Sequence, residues 1–402
     1  MSQVVIIGCG LVGAAIAYEL SAIASLHITV LDRQPPAQGS TGAALGVLMG
    51  AISQKKKGRA WALREHSLRT YETWVPELEQ ATGQAIQFNR DGLVRLLFEG
   101  DDVEKWTALQ SIRQEQGWPL DIWSRSELDE RCPGIGACMG DHIITGAIHS
   151  GGDRQIDPKA LTHALVAACR KRGVIFHFDA EVCGFDLHRD DDPIASPHRL
   201  FTASASFDAD WVIIAAGLGA TDLTQSLQHP VDIRPVLGQA MRVRLSGARV
   251  PGGARVPGGE KMANLISKKM PTFQPVLTGD DIHVMPLHPP GPLHKNDQAH
   301  ENDQDYWVGA TVEFPNDEGE VTADAAAFQS MWDRAIAFYP ALADAEILEQ
   351  WSGHRPRPFG RPAPIVERMD GYTQVILAAG HYRNGVLLAP ATARLVKDLM
   401  EL

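Results

Sequence analysis

Three glycines near the start of the chain have the spacing of a phosphate-binding turn. Gly8, Gly10 and Gly13 form the pattern GxGxxG between an apolar run at residues 3–7 and a stretch of helical spacing at residues 14–24. In this pattern the first glycine permits a tight turn, the second lets the backbone approach a pyrophosphate, and the third lets a helix pack closely on a strand. The helix N-terminus then presents free N–H groups to the anion. The pattern predicts a dinucleotide site, with a purely structural turn as the alternative.

An acidic residue follows where the ribose of a dinucleotide is expected. Asp32 ends the next apolar run, HITVLD at residues 27–32. Its carboxylate can accept hydrogen bonds from ribose hydroxyls and would repel a 2′-phosphate at the same place. These residues do not distinguish FAD from NAD.

The elements that must hold this turn are predicted from hydrophobic periodicity. Apolar runs without alternation, typical of strands in a parallel sheet, lie near residues 3, 28, 174, 211 and 373. Alternating runs, typical of a more exposed antiparallel sheet, lie at 91–99, 237–245 and 306–314. Helices are predicted at 14–24, 59–81, 157–172, 323–340 and 386–400. The order of these runs predicts a nucleotide-binding domain built from separate segments, with a second domain inserted.

Composition excludes several other classes of protein. The 402 residues include 49 acidic and 37 basic side chains, a net charge of −12 that repels phosphate backbones, so no nucleic-acid partner is expected. The five cysteines contain no CxxC pair, which favours a reducing cytoplasm over a disulfide framework and predicts no metal site. The first residues, MSQVVIIGCG, are typical of a strand and not of a signal peptide. No apolar stretch reaches the roughly 18–20 residues of a membrane span, so no transmembrane segment is expected.

Five motifs resemble the D-amino acid oxidase superfamily of flavoproteins, and within it the glycine oxidases. The resemblance covers nearly the whole chain. AAGHYRNGVLLAPATA at 378–393 is similar to the closing motif of glycine oxidases. The other four are WSGHRP at 351–356, TGAALG at 41–46, AAG at 215–217 and RPVLGQ at 234–239.

The resemblance implies an α/β fold, with a Rossmann-type FAD-binding domain and an inserted α+β substrate domain built on an antiparallel sheet. Residues 1–85, 150–230 and 350–402 are assigned to a discontinuous FAD-binding domain. Residues 86–149 and 231–349 are assigned to the substrate-binding domain.

The resemblance also implies a chemistry, in which FAD is bound non-covalently. A hydride passes from Cα of a small amino acid or amine to flavin N5, and the resulting imine hydrolyses. Dioxygen or another electron acceptor reoxidises the flavin. Association of the chain into a homo-oligomer is left open.

Arginines near the C-terminus are the expected substrate-binding groups. An amino acid has a carboxylate, which a guanidinium can hold with two parallel charge-assisted hydrogen bonds. The resemblance assigns this role to Arg383, with Arg355 as the second arginine; a structural ion pair is the alternative for each. The residues expected to contact FAD are Gly8, Gly10, Gly13, Asp32, Arg33, Thr41, Ala43, Ala44, Gly46, Val182, Ala216, Gly217, Gly380, Arg383, Asn384, Gly385, Val386 and Leu387. The turn at 384–387 begins the last helix, whose N-terminus would stabilise negative charge on reduced flavin.

His283 departs from the family pattern, and one other segment is duplicated. His283 occupies a strand position where the family usually has tyrosine, so it is expected to bind a polar group or to relay protons near neutral pH. A histidine merely hydrogen-bonded in the sheet is the alternative. The sequence GARVPG occurs twice in tandem, at 247–252 and 253–258, as either a lid or a surface loop.

Three functions are compatible with the sequence. The first is an FAD-dependent amino-acid or amine oxidase of the glycine oxidase kind. The second is an FAD-dependent dehydrogenase acting on a D-amino acid, proline or sarcosine, which passes electrons to a quinone or carrier. The third is a dinucleotide-binding protein without catalysis, against which the complete C-terminal motif and both arginines argue.

Overall fold

The structure is a computed structural model of the 402-residue chain. It describes residues 1–191, 197–225, 227, 230–245, 273–287 and 303–402. The GARVPG duplication and most of the proline- and histidine-rich segment 288–305 lie outside the described residues.

Eight α-helices occur in the described ranges. They are α1 Leu11–Leu20, α2 Arg59–Thr82, α3 Val103–Glu115, α4 Arg125–Arg131, α5 Pro158–Lys171, α6 Ala220–Thr224, α7 Ala325–Phe338 and α8 Gly385–Leu399. The predicted start of α5 is confirmed, since the Asp157 carboxylate accepts hydrogen bonds from the amides of Lys159 and Ala160, and Pro158 opens the first turn. Helices α3, α4 and α6 were not predicted.

The strands of the described residues fall into four sheets. In chain order they are β1 Ser2–Ile7, β2 Leu26–Leu31, β3 Val47–Leu48, β4 Phe88–Asn89, β5 Leu93–Phe98, β6 Leu120–Ser124, β7 Cys138–Met139, β8 His142–Ser150, β9 Arg154–Ile156, β10 Ile175–His177, β11 Val182–Asp186, β12 His198–Thr202, β13 Ser206–Ala209, β14 Trp211–Ile214, β15 Ile233–Leu245, β16 Val276–Gly279, β17 Ile282–Leu287, β18 Gln304–Gly309, β19 Glu346–Pro358, β20 Ile365–Met369 and β21 Tyr372–Ala379.

The first sheet is the parallel sheet that the sequence predicts. Its order is β10-β2-β1-β14-β21-β20, and all neighbours are parallel except β20 and β21. Its five parallel strands are the runs near residues 3, 28, 174, 211 and 373, so the predicted fold class is confirmed. One detail was wrong: β10 was expected to be buried, yet Ile175 is 56% exposed because β10 is an edge strand paired only with β2.

Both faces of this sheet are covered. Val4 and Ile6 of β1 pack in one hydrophobic cluster with residues of α1, α5 and α8. Val5 and Ile7, which point to the other face, pack in a second cluster with Val182 of the small sheet β11-β12-β13. Burial on both faces explains why β1 has no alternation in its sequence.

The second large sheet has nine strands and is antiparallel apart from one pair. Its order is β19-β15-β18-β17-β16-β5-β8-β6, with β7 added to β8, and only β16 and β5 run parallel. The strands assigned to the substrate domain form most of it. Strand β19 belongs to it as well, so the proposed domain boundary at residue 350 falls inside a strand.

Two buried charged side chains, Asp153 and Arg113, bind the backbone of the segment after β3. This arrangement, here called the clamp, was not predicted from the sequence. The Asp153 carboxylate accepts hydrogen bonds from the amides of Gly50, Ala51 and Ile52 at 2.7–2.9 Å. From the other side, the Arg113 guanidinium donates to the carbonyls of Ala51, Ser53 and Lys55. The guanidinium also stacks on Trp61, with Arg113 Cζ 3.5 Å from the ring centroid. Burial raises the pKa of Asp153 and lowers the pKa of Arg113 to about 10.

Replacing Arg113 by methionine is expected to lower the free energy of unfolding by about 3–5 kcal/mol, because buried carbonyls lose their donors and Asp153 loses the cation nearby. Urea unfolding followed by tryptophan fluorescence would measure this loss. Arg199→Met is the control, since the Arg199–Asp208 ion pair is half exposed and should contribute less than about 1 kcal/mol. Equal stability of the two variants would contradict the clamp.

Among the described helices, none combines the length and apolar character needed to cross a bilayer. All five cysteines fall within the described residues and are free thiols.

Candidate active site

A cavity of about 630 Å³ opens along the carboxyl ends of the parallel strands. It begins at the glycine turn after β1 and reaches the nine-stranded sheet at β15, β17 and β19. Ligands of open parallel sheets bind at this edge of the strands, and the volume is typical of a site that encloses a cofactor or drug-sized ligand.

The three glycines of the turn have different surroundings. Gly8 has φ +106°, and a Cβ there would lie 2.5 Å from the Ala215 carbonyl oxygen. A Cβ at Gly13 would overlap the Gly8 carbonyl oxygen, so Gly13 serves the packing of α1 on β1 and does not line the cavity. A Cβ at Gly10 would meet only the Thr41 hydroxyl oxygen, at 3.2 Å. Thus Gly8 and Gly10 face the cavity and Gly13 supports them.

The N-terminus of α1 is open towards the cavity. Its N-cap, Gly10, has no side chain, and the Thr41 hydroxyl accepts a hydrogen bond from the Leu11 amide at 2.9 Å. The carboxylate of Asp32 is held by the amides of Cys9 and Gln34, at 2.5 and 2.8 Å. A carboxylate can accept more than two hydrogen bonds, so Asp32 can still accept hydrogen bonds from ribose hydroxyls.

Other expected cofactor residues line the same cavity. Arg33 lines the cavity and forms an exposed ion pair with Glu181, with 3.4 Å between Nη1 and Oε1. Val182 is buried, and Ala216 and Gly217 follow β14.

The small residues after β2 lie against β19. The Trp351 indole N–H donates to the Ala43 carbonyl at 3.1 Å, and a Cβ at Gly353 would overlap the Cβ of Ala43. Ala44 and Gly46 also line the cavity. The two motifs TGAALG and WSGHRP, far apart in sequence, therefore form one wall.

The beginning of α8 forms another part of the wall. Asn384, its N-cap, makes no side-chain capping bond, and Asn384, Gly385 and Val386 line the cavity together with Gly380. The free N–H groups of this first turn can stabilise negative charge. The side chain of Leu387 is buried in the hydrophobic core and does not line the cavity.

Arg355 is fixed by backbone contacts at the sheet end of the cavity. Its Nη1 donates to the carbonyls of Leu237 and Thr311, at 3.0 and 3.1 Å. Its guanidinium covers Gly238, where any Cβ would overlap it. Burial, and next the neighbouring Arg383, lower the pKa of Arg355. Two arginines from different elements therefore share one end of the cavity.

Arg383 has a partner that the sequence did not reveal. Its Nη1 donates to Asp281 Oδ2 at 3.2 Å, and both residues line the cavity. Burial opposes ionisation of Asp281, but Arg383, with smaller contributions from His283 and Arg95, outweighs burial and lowers the pKa of the carboxyl. Asp281 lies in the two-residue turn between β16 and β17, where Asp280 and Asp281 have φ values of +46° and +64°. The sequence Asp-Asp between two strand patterns was the available signal for this turn, but not for its contact with Arg383.

His283 points into the cavity as a neutral side chain. Burial, with Arg383 nearby, lowers the pKa of His283 to about 4. Its Nδ1 is buried without a hydrogen-bond partner among the described residues. The low pKa disfavours a proton relay near neutral pH, one of the two expected roles. It is compatible with the other, a neutral imidazole that binds a polar group.

His381, also at the cavity wall, gives a prediction on pH. It is 3% exposed, its Nε2 lies 2.8 Å from the Thr392 hydroxyl, and burial lowers its pKa from 6.5 to about 4. Between these values the unfolded chain binds a proton that the folded chain does not. The free energy of unfolding therefore falls as pH decreases from about 6.5 to about 4, by up to about 3 kcal/mol from this residue.

His381→Gln is expected to weaken this pH dependence, because glutamine can still bond Thr392 but does not titrate. Urea unfolding of both proteins at several pH values between 7 and 4 would measure the difference. Parallel pH profiles for the variant and the wild-type protein would contradict the expectation.

Comparison with known proteins agrees with this geometry. The model of the family described as "DAO: FAD dependent oxidoreductase" matches residues 3–399. The chain therefore belongs to this family of FAD-dependent oxidoreductases. Its resemblance to the D-amino acid oxidase superfamily, and the FAD cofactor, are thereby confirmed.

The individual relatives include glycine oxidases and bifunctional proteins that are longer than this chain. The chain is 31% identical to the bifunctional protein ThiO/ThiG of Synechocystis over 99% of its own length, but it spans only 51% of that relative. It is 26% identical to the glycine oxidase of Geobacillus kaustophilus, covering 99% of the chain and 93% of the relative. The crystal structure of glycine oxidase from Geobacillus kaustophilus has a TM-score of 0.78 at 24% identity, covering 100% of this chain and 95% of that one.

The residues of the cavity fit FAD. The glycine turn leaves room beside the open N-terminus of α1 for a pyrophosphate, and Asp32 stands where the ribose is expected. The small residues Ala43 and Ala44 and the first turn of α8 line the same cavity and would hold the flavin ring.

Proposed function

We propose that the chain catalyses the oxidative deamination of a small amino acid or amine, as glycine oxidases act on glycine. The observation that carries this proposal is the pair of neighbouring guanidinium groups, Arg355 and Arg383, which line the same cavity as the glycine turn. A dinucleotide turn and a carboxylate-binding pair in one cavity favour a substrate that carries a carboxylate beside the bond to be oxidised.

Each residue of the site has a role in this proposal. Arg383 and Arg355 bind and orient the carboxylate, and Asp281 keeps the Arg383 side chain in place. The neutral His283 accepts or donates a hydrogen bond to the substrate. FAD, bound without a covalent link, supplies the acceptor for two electrons from the substrate. The N-terminus of α8 stabilises the negative charge that follows.

The division of labour between domains is part of the same proposal. Residues 1–85, 150–230 and 350–402 would hold FAD, and residues 86–149 and 231–349 would form the substrate side. Dioxygen or another acceptor would complete the reaction.

Anaerobic mixing of the yellow holoprotein with candidate substrates would test the proposal. We expect bleaching of the flavin band by at least one of glycine, sarcosine, proline and the D- and L-amino acids. Subsequent exposure to air, with hydrogen peroxide and dye reduction measured side by side, distinguishes an oxidase from a dehydrogenase. A fully loaded flavoprotein that none of these compounds bleaches would contradict the proposal and favour binding without catalysis.

A further inference from the structure

A carboxylate lines the cavity beside the two arginines. Asp281 contacts Arg383 through one oxygen, with 3.2 Å between Nη1 and Oδ2. Its side chain is 62% exposed, and it lines the cavity together with Arg355, Arg383 and His283. The other oxygen, Oδ1, accepts no hydrogen bond in the described part of the chain. A ligand in the cavity can therefore reach this carboxylate.

The turn between β16 and β17 fixes the direction of this carboxylate. Asp280 and Asp281 are its two residues, with φ values of +46° and +64°. A two-residue turn with both φ values positive matches the twist of the strands that it joins. The Asp280 carboxylate forms an ion pair with Arg334 of α7, whereas Asp281 lines the cavity. The two adjacent carboxylates therefore point to different parts of the molecule.

Among the described residues, four acidic side chains line the cavity, and Asp281 alone comes from the nine-stranded sheet. Asp32 follows β2, Glu181 precedes β11, and Asp222 lies in α6, which follows β14. These three acids are attached to the segments of the parallel sheet and of the small sheet beside it. Asp281 is therefore the acid that shares its part of the cavity with the two arginines.

Glu313 also lies near Arg355, but its carboxylate is already bound by the protein. Its Oε1 accepts hydrogen bonds from Gln239 Nε2, at 3.0 Å, and from the Thr311 hydroxyl. Its Oε2 accepts a hydrogen bond from the Asp324 amide at 2.7 Å. Glu313 does not line the cavity. Of these two acids near the arginines, only Asp281 is available to a ligand.

The charges indicate what Asp281 can bind. Burial raises the pKa of Asp281, but Arg383, with smaller contributions from His283 and Arg95, outweighs burial, so the carboxylate is charged at neutral pH. A substrate carboxylate bound by Arg383 would share that guanidinium with Asp281, and two neighbouring carboxylates repel each other. In an α-amino acid the ammonium nitrogen is attached to the carbon next to the carboxylate. The ammonium can lie between the two anions and donate charge-assisted hydrogen bonds to Asp281.

We propose that Asp281 is a specificity-determining residue that binds the positively charged nitrogen of the substrate. This proposal rests on the proposed function, because Arg355 and Arg383 must hold the substrate carboxylate. The site then selects zwitterions, since Asp281 attracts their cation. Asp281 repels a carboxylate that carries no positive charge.

Binding of two isosteric ligands to the oxidised holoprotein tests this role without turnover. Betaine (N,N,N-trimethylglycine) and 3,3-dimethylbutanoate have the same carboxylate and nearly the same shape, but betaine has a positively charged nitrogen where the other has a carbon. Betaine has no nitrogen lone pair, so it cannot become an imine by losing a hydride. The change in the flavin absorption band on binding gives the Kd of each ligand. We expect betaine to bind about 5- to 30-fold more tightly, the range of a partly shielded charge pair.

Two aspartate variants assign this preference to one residue of the turn. Asp281→Asn keeps the shape of the side chain, tolerates the left-handed backbone and still offers Arg383 an oxygen. This variant is expected to reduce the preference for betaine to within about twofold, and to bind acetate at least about threefold more tightly. Asp280→Asn is the matched control, because Asp280 lies in the same turn but pairs with Arg334. The control should keep the wild-type Kd for all three ligands.

The role of Asp281 is disproved if the wild-type protein binds both ligands equally or prefers 3,3-dimethylbutanoate, a measurement that needs no variant. It is also disproved if Asp281→Asn keeps the full preference for betaine, or if none of the three ligands binds. Weaker binding of acetate by Asp281→Asn would show that Asp281 only positions Arg383, and would overturn the proposal as well.

The outcome for the proposed function is separate. If no amino acid bleaches the flavin while the preference for betaine is present and depends on Asp281, catalysis is disproved and the role of Asp281 in binding stands. If amino acids bleach the flavin and betaine has no advantage, the proposed function stands and the role of Asp281 is disproved.

Discussion

Arg383→Ala is expected to keep FAD bound and to raise the KM for carboxylate-bearing substrates by about 100-fold or more. A bidentate, charge-assisted pair contributes roughly 3 kcal/mol when it is shielded from water, and alanine removes all of its donors. Arg383 is 37% exposed and already bonded to Asp281, so the variant also leaves a carboxylate in the cavity that repels the substrate. Steady-state kinetics with a carboxylate substrate, together with the FAD content of the purified variant, would measure both effects.

Arg357→Ala is the matched control for this experiment. Arg357 lies two positions after Arg355 on β19, but it stacks on the rings of Phe314 and Tyr382 and does not line the cavity. Its removal should change KM by less than about threefold, as is typical of a surface arginine. If Arg383→Ala has the KM of the wild-type protein, Arg383 does not hold the carboxylate.

Gly10→Val is expected to lower the affinity for FAD by at least about 100-fold and to give colourless protein. A branched side chain at this position would meet the Thr41 hydroxyl and occupy the space beside the open N-terminus of α1, where the pyrophosphate is expected. The loss combines steric exclusion with the anion's contacts to helix N–H groups, so more than one hydrogen bond is removed. Titration of the apoprotein with FAD, followed by flavin fluorescence, measures the Kd.

Gly151→Ala distinguishes this effect from a general cost of replacing glycine. A Cβ at Gly151 would make only an ordinary contact of 3.5 Å with the His149 ring, and Gly151 lies outside the cavity. We expect this variant to bind FAD normally. A yellow Gly10→Val protein with wild-type affinity would place the pyrophosphate elsewhere.

The parts of the fold that the sequence predicted well are those governed by local pattern. The five parallel strands, the glycine turn and Asp32, and the cap of α5 at Asp157 each depend on residues close together in the chain. Hydrophobic runs, turn glycines and caps act on residues close to them in the chain, so they can be interpreted without knowledge of the rest of the chain. Helix α3 was missed because its 13 residues have little apolar periodicity, and helices α4 and α6 were missed because they have only seven and five residues.

The parts that required the tertiary structure are contacts between distant segments. Nothing in the sequence near Arg383 indicates that Asp281 is its partner, and nothing near Arg113 indicates the carbonyls that it binds.

Family motifs located Arg355 and Arg383, but only strand order and register place Thr278 of β16 between His283 of β17 and Arg95 of β5. A shift of one residue in either pairing would turn one of these side chains to the other face of the sheet. The amino-acid types therefore determine which chemistry is available, while the pairing of remote strands determines which groups meet.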